Sequence, residues 1–157
     1  MTGIAQTNIQ LYEQLRAQGY GDEALIAAAA AYRFVQPLFS ARFRGSGRPF
    51  LCHLVGTASI LARDRAPIHE VLAGLLHAVY DAGLFSVDMH RKTTPRKRAA
   101  VRAAAGERVE ALVLAYQQLP WNRETIERLA RAPSLQGDEL AVLRLRLANE
   151  LDDLADQ

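Results

Sequence analysis

His53, His77 and Asp81 are the residues of this chain whose types and spacing could do chemistry. His77 and Asp81 lie four apart in the apolar stretch Ala73-Gly-Leu-Leu-His77-Ala78-Val-Tyr80-Asp81. That stretch predicts a helix, so both side chains face the same way. With His53 from the preceding predicted helix they could form a set of two imidazoles and one carboxylate, the arrangement of mononuclear iron sites. Without a metal, the same three groups make an acid–base unit in which Asp81 orients an imidazole. The plainer alternative is a packed core histidine satisfied by Asp81 or by a backbone carbonyl.

Helices must position these groups. Half of the residues are hydrophobic; alanine and leucine dominate while Val, Ile and Thr are sparse, which favours helix over sheet. Residues 7–17 set Ile9, Leu11, Tyr12 and Leu15 on one stripe that ends at Gly19. Asp22 can cap a second helix reaching Val35, and the glycines and proline of 42–49 mark a loop. A third helix is expected from Phe50 to Arg63, and Pro67 opens a fourth that runs to Tyr80. Residues 83–94 read as a polar connection; Pro95 opens a helix that bends near Gly106 and stops at Pro120. A short helix over 122–131 and a last one from about Asp138 to Asp156 complete an all-α, single-domain reading of 1–157.

Composition narrows the function classes. A chain of 157 residues is long enough for a hydrophobic core. A net charge of +2 is too mild to imply nucleic acid, although it does not repel an anionic ligand. The single cysteine, Cys52, forbids an internal disulfide and suits a reducing cytosol. No apolar run approaches the roughly 18 residues that span a bilayer, and the first residues lack the basic and apolar regions of a secretory signal. The expectation is a cytoplasmic protein with no membrane and no nucleic-acid partner.

Three segments carry a family likeness. Arg44-Gly-Ser-Gly-Arg-Pro-Phe-Leu-Cys-His53 and Ala73-Gly-Leu-Leu-His77-Ala78-Val-Tyr80-Asp81, followed by Arg146-Leu-Ala-Asn149-Glu-Leu-Asp-Asp153, resemble the HD-domain metallohydrolases. Within these, the chain is most similar to the hydrolase domain of the RelA/SpoT alarmone enzymes, over about residues 20–157. The resemblance implies an HD-type helical bundle in which His53 and His77 would be metal ligands and Arg44 would meet a nucleotide base. It departs from the pattern at two metal-binding carboxylates: the His-Asp doublet reads His77-Ala78, and the later aspartate is Asn149, with Asp153 at the following asparagine.

Those departures have a chemical consequence. A hard divalent cation wants anionic oxygen beside imidazole, and a methyl group plus a neutral amide supply little of it. No metal cofactor is therefore expected, a weak divalent site on His53, His77 and Asp81 being the exception, and ordinary alarmone hydrolysis is disfavoured. The reading is an enzyme with a remodelled, metal-poor site. It would act through His53, His77 and Asp81 on a small molecule, phosphorylated in one form of the reading, with Arg44, Tyr80, Asn149 and Asp153 binding the ligand. The alternative is a non-catalytic ligand-binding or protein-interaction module. Tyr116 and Trp121 are expected at a helix junction or a pocket edge, Cys52 as a small buried residue, and His69 and His90 at the surface. The basic residues Arg91, Lys92, Arg96, Lys97 and Arg98 read as a solvated face that could attract phosphate.

Overall fold

Residues 3–85, 93–132 and 134–156 are described by a computed structural model. Their helices are α1 (Asn8–Ala17), α2 (Asp22–Phe39), α3 (Phe50–Arg63), α4 (Ile68–Leu76), α5 (Val79–Ala82), α6 (Pro95–Ala105), α7 (Glu107–Gln118), α8 (Arg123–Arg131) and α9 (Gly137–Leu154). The fold is all-α, and among the described residues the only β pairing is an isolated bridge between Phe43 and Pro49. His90, Arg91 and Lys92 lie outside the described residues.

Local chemistry explains where several helices begin. The Thr7 side chain accepts from the Gln10 backbone N–H while the Gln10 side chain reaches back to the cap, satisfying two otherwise orphaned donors. Thr94 caps α6 with Pro95 in its first turn, and Asn122 caps α8. Two expected continuities fail. The helix expected from Pro67 to Tyr80 stops at Leu76, His77 becomes its C-cap, and the chain resumes as the single turn α5. Near Gly106 the expected bend is a complete break, because Gly106 adopts φ 90° and starts α7 on a new axis.

α3 is the central element. It packs against α1, α2, α4 and α9, and every residue from His53 to Ser59 is buried. The approach of α4 is set by Gly74. A Cβ there would stand 2.9 Å from Leu61 Cδ1 and 3.0 Å from the Ala58 Cα, so any side chain would push the two helices apart. The core then continues through Val35, Phe39, Leu54, Leu75, Leu76, Leu112 and Leu145. No helix of the described residues is long and apolar enough to cross a membrane. Gly74→Val should lower unfolding free energy by about 2–3 kcal/mol through overpacking, read as a lower urea midpoint at unchanged slope.

Candidate functional site

α3 supplies His53 near its start and α4 supplies His77 at its end, so the close crossing at Gly74 brings the rings together. Their Nε2 atoms are 3.1 Å apart, with ring centroids 5.0 Å apart at 77°. Both side chains are buried, at 1% and 3% exposure. α9 supplies a third member. Asp152, 1% exposed, places Oδ2 2.8 Å from His53 Nδ1. Arg48 donates to both oxygens of the same carboxylate, at 2.9 and 3.1 Å, and also to the Cys52 carbonyl. Gly56 makes room for this contact: a Cβ there would fall 1.9 Å from Asp152 Oδ1.

Proton positions follow from the partners. His77 Nδ1 lies 2.8 Å from the Gly74 carbonyl oxygen, which can only accept, so Nδ1 carries the proton and Nε2 a lone pair. His53 therefore donates through Nε2 to His77, and donates through Nδ1 to Asp152 when the ring carries both protons. Burial is the largest effect on His77, and with the neighbouring charge on His53 it lowers the imidazole to about 3. Burial pushes Asp152 upward, but hydrogen bonds from His53 and Arg48 and the Arg48 charge prevail, leaving it below the usual carboxylate range. The Tyr116 ring lies edge-on to His77, 5.4 Å away, and burial raises its hydroxyl to about 12. Arg146 lies 4.0 Å over Tyr116 and 5.5 Å from Trp121, and donates to the Tyr116 hydroxyl. Its Nε is buried without a hydrogen-bond partner among the described residues.

The expected residues divide into two groups. His53, His77, Arg44, Asn149 and Asp153 converge: Arg44 pairs with Asp153, Asn149 Nδ2 donates to Asp153 at 3.4 Å, and Asp153 Oδ1 is 3.4 Å from His53 Nδ1. Asp81 does not join them. The helix breaks after Leu76, so the four-residue spacing no longer superimposes it on His77; its exposed carboxylate accepts from Gln117 instead. Tyr80 also turns away, donating to Glu110 at 2.9 Å, where Arg98 donates as well. The hydrogen bond from Arg98 leads the effects that hold Glu110 below its ordinary value. Of the plainer reading, the backbone carbonyl is present and the Asp81 contact is not. Cys52 and His69 are half-buried. Asp152 and Arg48 are the residues the sequence reading missed. Their signal is the spacing of Asp152, Asp153 and Asp156, which meets the Arg44/Arg48 loop at one end of α9.

The divalent metal implied by the resemblance fits this set poorly. Ala78 offers no ligand, Asn149 a neutral oxygen, and Asp81 lies elsewhere. Among the described residues, His53, Asp152 and Asp153 form a group of suitable spacing, but Arg48 and Arg44 already neutralise both carboxylates. What the arrangement provides instead is a donor on His53 and an acceptor on His77, 3.1 Å apart. Two clefts lie away from the pair: one of about 660 Å³ runs along α1, and one of about 570 Å³ lies beside Asp81, Arg98 and Arg102.

The lowered His77 affinity for protons predicts an acid-labile fold. Between the ordinary value of 6.5 and the folded value of about 3, the unfolded chain binds a proton at this residue that the folded chain refuses. Stability should therefore fall as pH drops through that window, by up to about 1.4 kcal/mol per pH unit. Urea titrations at pH 7 and pH 5 should reveal this slope, and His77→Gln should reduce it. Asp152, held below the ordinary carboxylate range, contributes only at the acid end.

A comparison with curated proteins finds no match. One domain family does match, over residues 34–120, more than half of the 157-residue chain. The matched stretch runs from late α2 to just beyond α7 and includes Arg44, Arg48, His53 and His77, whereas Asn149 and Asp152 lie outside it. The chain belongs to the family described as a domain of unknown function, DUF6817.

Proposed function

We propose that the protein is an HD-like enzyme whose metal site has been replaced by metal-free acid–base chemistry on a small anionic molecule, a phosphate ester being the favoured class. The observation that carries this reading is the buried Nε2 to Nε2 approach of 3.1 Å, with His53 backed by Asp152 and His77 fixed by Gly74. A reacting group entering beside the pair would meet a proton donor on His53 and a lone pair on His77. Buttressing of an imidazole by a carboxylate is how a working histidine is commonly oriented. His77 stays unprotonated through the physiological range, which suits a proton acceptor. Arg146 supports the anionic substrate class, since among the described residues its guanidinium has aromatic and hydroxyl neighbours but no carboxylate within ion-pair distance. Admission requires movement of the rim formed by Arg44, Phe50, Asp153 and Tyr116, because both imidazoles are covered. A cytosolic setting accords with the single half-buried cysteine.

The test is phosphate release from a panel of phosphomonoesters and pyrophosphate compounds in buffer containing a chelator. At least one should be consumed by the wild type, and His77→Gln should lower turnover by about 10²-fold or more with the helical spectrum unchanged. Consumption of none, together with histidine NMR shifts on adding inorganic phosphate, would leave only the ligand-binding alternative. The HD ancestry is tested separately. The double substitution Ala78→Asp and Asn149→Asp should create a calorimetrically measurable Mn²⁺ site that the wild type lacks, and a well-folded double variant that takes up no Mn²⁺ counts against that ancestry.

A further inference from the structure

The last helix carries an apolar feature that the histidine site does not use. Leu147, Leu151 and Leu154 are 48%, 54% and 64% exposed, and Leu140 and Leu143 are half-buried on the same side. At 3.6 residues per turn these five leucines share an arc of roughly 80°. Beside the first half of α9 lies an apolar groove of about 310 Å³, lined by Leu119, Pro120, Leu129, Val142 and Leu143 among others. One helix thus presents a hollow near its start and protruding leucines near its end.

We propose that this face binds a second copy of the chain, the two α9 helices packing antiparallel about a two-fold axis through Leu147. That axis sets Leu147 against its own copy, Leu143 against Leu151 and Leu140 against Leu154. Each copy then offers its protruding end to the other's hollow, and the contact is made twice. A parallel seam would set protrusion on protrusion and leave both hollows empty. Charge does not oppose the contact. Around the hollow, Asp138 pairs with Arg108 and Glu139 with Arg128, and Arg144 on the opposite flank lies 3.6 Å from Glu70.

The size of the face sets the strength. A helix of 18 residues is about 27 Å long and about 10 Å wide. That strip is small beside the roughly 800 Å² per partner of a standard interface. The dimer is therefore a weak, reversible one, to be sought from micromolar to sub-millimolar concentrations.

Sedimentation equilibrium of the full chain from about 5 to about 500 µM spans that range. The dimer fraction should rise with concentration, and Leu147→Glu or Leu154→Glu should hold the chain monomeric with an unchanged helical spectrum, since both side chains are exposed. In a Cys52→Ser background, Leu147→Cys should form an intermolecular disulfide under mild oxidation, whereas Leu154→Cys should not. A wild type that stays monomeric throughout overturns the proposal. So does a dimer that persists in Leu147→Glu, which would place the contact on another face. Faster cross-linking through Leu154→Cys would indicate the parallel seam and overturn the antiparallel one.

Discussion

The ionised carboxylate of Asp152, sealed between Arg48 and His53, is the constraint around which the molecule is arranged. A charge at 1% exposure is tolerable only when its partners are held in place. Three separate parts of the chain meet that demand. The hairpin-like loop closed by the Phe43–Pro49 bridge delivers the guanidinium, α3 delivers the imidazole, and α9 delivers the carboxylate. Gly56 is bare because the carboxylate occupies the space a side chain would need. Removing Asp152 leaves Arg48 and His53 only their longer carboxylate contacts, with Asp156 and Asp153, so the packing of the loop, α3 and the C-terminal helix is tied to a single electrostatic cluster.

The histidine pair inherits its geometry from this cluster. Asp152 fixes one ring through Nδ1, the Gly74 carbonyl fixes the other, and neither imidazole keeps rotational freedom. The same Gly74 that sets the helix spacing by lacking a side chain also sets the tautomer of His77 with its carbonyl. Packing and proton placement here are one problem. For the proposed acid–base reading this matters because preorganised partners need no rearrangement at the moment of proton transfer.

How far the sequence foretells these features depends on the range of the interaction behind each. Helix starts were legible at Thr7, Pro95 and Asn122, because caps act within three or four residues. The meeting of His53 and His77 was legible through the motif resemblance. Asp81 misled because helical periodicity holds only while the helix does, and His77 ends α4. Asp152 was hidden as a partner for His53 since the two stand 99 residues apart; the spacing of Asp152, Asp153 and Asp156 signals an acidic end of α9 but names no imidazole that it meets. Asp153, its neighbour, was legible only as an aspartate in the expected place, and it interacts mainly with Arg44.

Trp121 is the only tryptophan in the chain. Its ring lies 5.5 Å from the Arg146 guanidinium, which stacks on the tyrosine that touches His77. The protein thus carries a built-in optical probe three contacts from its imidazole pair. A molecule that draws Arg146 away alters the electric field at the indole and shifts its emission. On the proposed reading, occupancy of the site is therefore readable in unlabelled protein by fluorescence alone.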